Sequence, residues 1–264
     1  MALSLEIFMM NRLLKIKEIR ARLQGGMASI GSWMQIPDSS VAEIMGSSQF
    51  DWVAVDMEHG AISHHQLPDI FRALELGNTL PLARIAEGSP RDCKQALDAG
   101  AGGIIVPMIE DAAQLVSVRD ACRWPPAGMR GVAFSRANLF GKNFKPYIEE
   151  AQSPLLVAMI ENTQALENIE KILSVDGLDA ILIGPYDLSA SLGLMGNFDH
   201  PEVTAAMGRI LSSAKKANIA AGIHVVEPSL VEINDRIKEG YSFLPYSIDT
   251  VILRQGVEEA LKGR

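Results

Sequence analysis

One unit keeps returning along this chain: a short apolar run, a polar residue or two at its end, then an amphipathic helical pattern. The runs are ASIGSWM (28–34), WVAVDME (52–58), LPLARIA (80–86), GGIIVPMIE (102–110), LLVAMIE (155–161), AILIGPYD (180–187), AAGIHVV (220–226) and SFLPYSI (242–248). Helical patterns lie near 38–47, 64–76, 89–99, 111–122, 163–174, 201–217, 227–239 and 249–263. Several runs are almost continuously hydrophobic, as strands are when helices cover both faces of a parallel sheet. Alternating strands and helices with short links imply right-handed parallel crossovers. Eight such units in 264 residues predict a closed (β/α)8 barrel, a TIM barrel, rather than an open sheet. Residues 27–264 are read as this single catalytic domain, and residues 1–26 as a helical extension before it.

Composition narrows the partners. The net charge of −8 argues against a nucleic-acid ligand, which needs clustered lysine and arginine. The one basic concentration, NRLLKIKEIRARL (11–23), has helical spacing and reads as a solvated helix face. No apolar run approaches the roughly 18 residues of a membrane span. The start, MALSLEIFMM, has Glu6 inside it and no basic residue before it, so it makes a poor signal peptide; Met9 or Met10 is an alternative start. Cys93 and Cys122 are the only cysteines, which suits a reduced, cytoplasmic protein.

One connection breaks the rhythm. Between the fourth helix and fifth strand runs RWPPAGMRGVAFSRANLFGKNFKPYIEEAQSP, rich in glycine, arginine and aromatics. Connections this long are usually functional or partner-facing. The expectation is a position at the barrel mouth or in a subunit contact.

In such barrels the active site forms at the carboxyl ends of the strands. The polar residues ending the runs are therefore the candidates: Trp33, then Asp56, Glu58 and His59, then Arg84, Glu161 and Asp187. Glu161 and Asp187 end adjacent strands. Like charges so close resist joint ionisation unless a cation lies between them. Two carboxylates with open remaining positions suit Mg²⁺ or Mn²⁺. Either carboxylate alone is equally well read as a helix cap or a partner for lysine; the matched pair favours metal. His59 alone reads as a structural histidine, but Asp56 beside it can fix its tautomer and raise its basicity. Arg84 either pairs with a rim carboxylate or offers its planar fork to a substrate carboxylate or enolate oxygen. A metal, a base and a guanidinium around one cavity can make and hold an enolate.

The motifs FDWVAVDMEHG, PLARI, LDAGAGGIIVPMIED, RWPPAGMRGV, MIENTQALENI and IGPYDLSASLG, with GNFDHPEV after it, occur in this order. The chain from about residue 27 onward resembles the HpcH/HpaI aldolase family, the metal-dependent class II pyruvate aldolases of the 4-hydroxy-2-oxoheptanedioate aldolase kind. The resemblance implies that Glu161 and Asp187 hold a divalent cation (Mg²⁺, Mn²⁺ or Co²⁺). It implies that His59 is the catalytic histidine, with Asp56 and Asp98 supporting it, and that Arg84 holds pyruvate and steadies its enolate. Gly184, Pro185 and Tyr186 would line the pyruvate carboxylate, and Trp33 would stand near the aldehyde. It further implies a homohexamer built as a trimer of dimers that exchange the C-terminal helix, 249–263.

At Met159 the chain departs from the glutamine the best-known members carry, and a thioether cannot donate as an amide does. The loop FSRANLFGKNF (134–144) suggests an acceptor larger than a small dicarboxylate semialdehyde. The expected function is carbon–carbon bond formation or cleavage between a 2-oxo acid enolate and an aldehyde. Alternatives are an oxaloacetate decarboxylase or acyl-CoA lyase with the same enolate, or a barrel kept only as a binding scaffold.

Overall fold

A computed structural model describes residues 11–264; the start-site reading at Met9 or Met10 lies outside the described residues. In chain order the elements are α1 (Arg12–Gln24), β1 (Ser29–Met34), α2 (Ser39–Gly46), β2 (Trp52–Asp56), α3 (Leu67–Leu76), β3 (Leu80–Arg84) and α4 (Pro90–Ala99). Then come β4 (Gly103–Val106), α5 (Ala112–Cys122), a 3-10 segment (Arg136–Gly141), α6 (Phe144–Gln152), β5 (Leu155–Ile160), α7 (Thr163–Glu167) and α8 (Ile169–Leu173). The chain closes with β6 (Ala180–Ile183), α9 (Pro185–Ser191), α10 (Pro201–Ala217), β7 (Ala220–Ile223), α11 (Leu230–Glu239), β8 (Phe243–Ile248) and α12 (Asp249–Ala260). The eight strands form a closed, all-parallel barrel in sequence order, the expected (β/α)8 architecture.

Alternation along each strand builds two cores. Trp52, Ala54, Leu80, Leu82, Leu155, Val157, Leu182 and Phe243 fill the barrel interior. Val53, Val55, Ala83, Leu156, Ala158, Ile181 and Ile183 point outward into the layer beneath the helices. The filling of the interior explains Gly31. It pairs in register with Trp52, and a Cβ there would overlap the indole, which lies stacked on Phe243 at 4.3 Å. Helix starts are capped by short polar side chains that accept a free backbone N–H: Asn11, Asp38, Ser89, Asp111, Asn162 and Ser229.

The basic segment 11–23 is more than a solvated face. Ile16, Ile19 and Leu23 of α1 are buried in the interior core with Trp52, Leu80 and Leu155, so the helix closes the amino-terminal end of the barrel. Its charges are matched by acidic residues around that rim. Arg12 pairs with Glu75 at 3.0 Å and Glu150 at 2.7 Å, and Arg20 with Asp179 at 2.6 Å. The charge pattern concealed this because the three buried apolar positions are outnumbered by cations, and the carboxylates that hold Arg12 and Arg20 lie far away in sequence.

Two further expectations change. The 163–174 pattern is two short helices meeting at Asn168. The long connection reaches this floor rather than the mouth: Arg136 donates to the carbonyl of Ala99 at the end of α4 and pairs with Glu75 near the end of α3, while Arg12 donates to the Ala137 carbonyl. Buried cations seeking carboxylates and helix carbonyls draw the loop there. Among the described residues no helix is long and apolar enough to cross a membrane.

Candidate active site

The carboxyl ends of the strands open on a cavity of about 500 Å³ lined by Trp33, His59, Arg84, Met159, Gly184, Pro185, Tyr186 and Asp187, with Gln35, Phe198 and His224. Behind Arg84 on that wall lies Asp56, wholly buried at the end of β2. Arg84, its register partner on β3, grips it with two prongs: Nε donates to Oδ1 at 2.9 Å and Nη2 to Oδ2 at 2.7 Å. Gln35 Nε2 donates to Oδ2 at 2.8 Å, and the backbone N–H groups of Glu58 and His59 donate to Oδ1 at 3.1 and 3.2 Å. Burial alone would raise the Asp56 pKa, but the bonds and charge of Arg84, with Gln35 and the His59 N–H, hold it below the usual carboxylate value.

This corrects the expectation that Asp56 orients the His59 imidazole. Asp56 fixes the backbone of the His59 turn and gives both oxygens to Arg84. The imidazole stands at the cavity edge, its Nε2 3.9 Å from Glu58 Oε2. Arg84 in turn reaches Glu58 at 3.2 Å, and its guanidinium carbon lies 4.5 Å from the centre of the Trp33 ring. Packing on Trp33 and two carboxylates leaves the fork little freedom.

Glu161 follows β5 and is buried. Its Oε1 accepts the Met108 N–H at 2.6 Å, and Met108 holds a left-handed φ of 51° to present that bond. Burial pushes the Glu161 pKa up to about 7; the Met108 bond opposes this, and the negative charges of Glu58 and Asp187 add to it. Asp187 belongs to the first turn of α9, four positions beyond the end of β6, not to the strand itself. Glycine at 184 makes the approach possible, since a Cβ there would sit 2.5 Å from Glu161 Oε2 and 2.9 Å from Glu161 Cβ. A buried carboxylate reluctant to ionise, with Asp187 and Glu58 bearing on it, is a set that a divalent cation would relieve. No group of three or more histidine, cysteine, aspartate or glutamate side chains poised for metal exists among the described residues. The donors fit a hard cation that completes its shell from water and substrate oxygens.

Asp98 is not part of this cavity. It lies on α4 and lines a separate one with His64, His65, Gln95 and Arg136, where its Oδ1 is buried without a hydrogen-bond partner among the described residues. None of residues 134–144 lines the main cavity, so the loop does not shape the acceptor site within one protomer. Residues the sequence reading passed over are Gln35, which follows β1 and steadies Asp56, and His224. The signal for His224 was present: a lone imidazole inside the otherwise apolar run AAGIHVV, at a strand's carboxyl end.

Fold and site together define a barrel lyase equipped to work beside a carbonyl group. The family model for HpcH/HpaI aldolase/citrate lyase matches residues 29–255, and the chain belongs to that family. Among its relatives, the hydroxypyruvate/pyruvate aldolase of Roseobacter denitrificans is 36% identical over 242 residues, covering 90% of this chain and 93% of the relative. The 4-hydroxy-2-oxo-heptane-1,7-dioate aldolase of Salmonella dublin is 34% identical over 245 residues, covering 92% of each. The crystal structure of a family protein from Burkholderia cenocepacia J2315 superposes with a TM-score of 0.87 at 30% identity, covering 93% of this chain and 98% of the other. The protein is a carbon–carbon lyase of the aldolase class.

Proposed function

We propose that this aldolase joins the enolate of pyruvate, or a similar 2-oxo acid, to an aldehyde and cleaves the resulting 4-hydroxy-2-oxo acid. The observation that carries the reading is one cavity that holds both Arg84, clamped by Asp56 and Glu58, and Asp187, with Glu161 buried behind Gly184 on its wall and within reach of the charges of both. Glu161 and Asp187 would hold Mg²⁺, Mn²⁺ or Co²⁺, which when bound supplies Lewis acidity to the keto oxygen. Arg84 receives the charge that develops on the enolate oxygen through the Nη N–H groups that Asp56 and Glu58 leave free, and the clamp preorganises them. His59, at the cavity edge, moves the proton. Gly184, Pro185 and Tyr186 border the keto acid, with Trp33 beneath Arg84 and Met159 on the inner wall.

Asp98 can support a base only where another protomer brings its His59 to the second cavity, which fits an oligomer. Ile252, Leu253, Val257 and Leu261 on and after α12 are exposed, as expected of a helix exchanged between partners in a hexamer of dimers. In this reading residues 1–26 are an extension whose helix seals the barrel floor, and 27–264 the catalytic domain. Two free, buried cysteines suit the cytoplasm. A thioester substrate is less well served, because Arg236 at the cavity is held by Glu232 and Glu239 and offers no open cation to a coenzyme phosphate.

The test is exchange of pyruvate methyl protons with deuterated solvent, followed by a panel of aldehydes. Exchange that requires added cation and stops with chelator supports the reading. Oxaloacetate decarboxylation without pyruvate exchange or aldol product would replace it.

A further inference from the structure

His224 follows β7 and lines the same cavity, and the enolate chemistry has no use for it. Its Nε2 lies 3.2 Å from the carbonyl oxygen of Ser247. A carbonyl cannot donate, so Nε2 carries the hydrogen and Nδ1 is left as an acceptor. The fold imposes this tautomer. Ser247 has a left-handed φ of 57°, where the pairing of β1 with β8 slips between Gly31 and Trp33. Its N–H donates to Val225 at 2.7 Å, and its carbonyl also accepts from Ser32 Oγ at 3.3 Å. The bulge therefore turns that carbonyl toward the ring. Trp33 meets the imidazole edge-on at 5.9 Å. Burial holds the His224 pKa down to about 4, aided by Arg84 and opposed by the Ser247 bond and Asp56, so the ring is neutral at neutral pH.

Nδ1 has no hydrogen-bond partner among the described residues; the wall from β7, β8 and β1 presents Trp33, Ile223, Val226 and Ile248, and of its polar residues Gln35 donates to Asp56 while Glu227 is an acceptor paired with Arg254. A keto group, an aldehyde and a carboxylate are acceptors only. The group that satisfies Nδ1 must donate, and in this chemistry that is a substrate hydroxyl. Glu161, Asp187 and Arg84 claim the keto acid from the β5, β6 and β3 side. The wall from β7, β8 and β1 is left to the second substrate.

We propose that His224 is a specificity residue whose Nδ1 accepts a hydrogen bond from the hydroxyl of a 2-hydroxyaldehyde acceptor, the glycolaldehyde and glyceraldehyde class. The inference rests on the aldolase reading above. It is tested by the ratio of kcat/KM for glyceraldehyde over propanal, with pyruvate and Mg²⁺ or Mn²⁺, in wild type, His224→Phe and His224→Gln. The ratio should fall about tenfold in His224→Phe, the effect of one hydrogen bond to a neutral acceptor, and less in His224→Gln, whose amide oxygen still accepts. A ratio unchanged in His224→Phe overturns the proposal. So does a loss confined to hydroxypyruvate over pyruvate as donor, which would assign Nδ1 to the keto acid instead. Wild-type protein that fails to exchange pyruvate methyl protons removes the aldolase reading, and this proposal with it; exchange with an unchanged ratio removes the role of His224 alone.

Discussion

Asp56 and Arg84 face each other from adjacent strands, in register, joined by two parallel hydrogen bonds of 2.9 and 2.7 Å. The carboxylate is wholly buried, so it serves Arg84 rather than substrate. This makes the fork rigid before anything binds, which is what stabilising a developing oxyanion requires. Arg84→Lys keeps the charge and loses the fork. The expected result is a fall in kcat of at least about tenfold with a smaller change in KM for the keto acid. Asp56→Asn should move kcat in the same direction by freeing the guanidinium toward Glu58. Steady-state kinetics decides it: a raised KM with normal kcat would make Arg84 a binding residue only.

Gly184 offers a test of the carboxylate pair that does not remove a carboxylate. Alanine there would press on Glu161 Oε2 from 2.5 Å and displace it from Asp187. Gly184→Ala should weaken Mn²⁺ affinity by about tenfold or more, within the range seen when a ligand's support is disturbed. Glu161→Gln should weaken it further, with the circular dichroism of both variants unchanged. Calorimetric titration showing wild-type affinity in Glu161→Gln would move the cation elsewhere.

What the sequence made legible follows from the range of each interaction. Strand and helix alternation is local, so the barrel and the rim set Asp56, Arg84 and Glu161 could be read directly. Asp187 does reach the cavity, but it was read as a strand end and stands in a helix, because Gly-Pro-Tyr-Asp leaves a strand and begins a helix within four residues. The Asp56–Arg84 grip, the Ser247 bulge under His224 and the α1 floor depend on partners 28, 23 and up to 159 positions away. No spacing rule reaches that far. His59 next to Asp56 in sequence invited a pairing that the backbone turn does not make.

The floor helix carries its own prediction. Ile16 is fully buried, and Ile16→Ala should cost about 2–5 kcal/mol. Arg12→Ala leaves Glu150 without its cation, while Glu75 keeps Arg136. Breaking one side of a buried pair costs about 3–5 kcal/mol, and Arg12 stands at the lower end because Glu75 stays paired. Denaturant unfolding should show both losses, with kcat per folded molecule intact. Stability within about 0.5 kcal/mol of wild type for both variants would show that the barrel closes without α1.

The last prediction concerns acid. His224 has a folded pKa of about 4 against 6.5 when free, because burial resists its charging. Between those values the unfolded chain binds a proton that the folded one refuses. Stability is therefore full above about pH 6.5 and is lost as pH falls toward 4, by up to about 3 kcal/mol. Glu161 contributes a slope of the opposite sign over part of this window, since its folded pKa of about 7 lies above 4.5, and ionisation disfavours the metal-free fold as pH rises. The useful quantity is therefore a difference between variants, in which the Glu161 contribution cancels. His224→Phe keeps an aromatic ring against Trp33 and has nothing to protonate. Unfolding free energies of wild type and His224→Phe, measured from pH 7 to 4.5 in chelator, should diverge in favour of the variant as the medium becomes more acid. Curves that stay parallel across that range would mean that the imidazole takes up its proton in the folded protein, and that Nδ1 is not held as an acceptor.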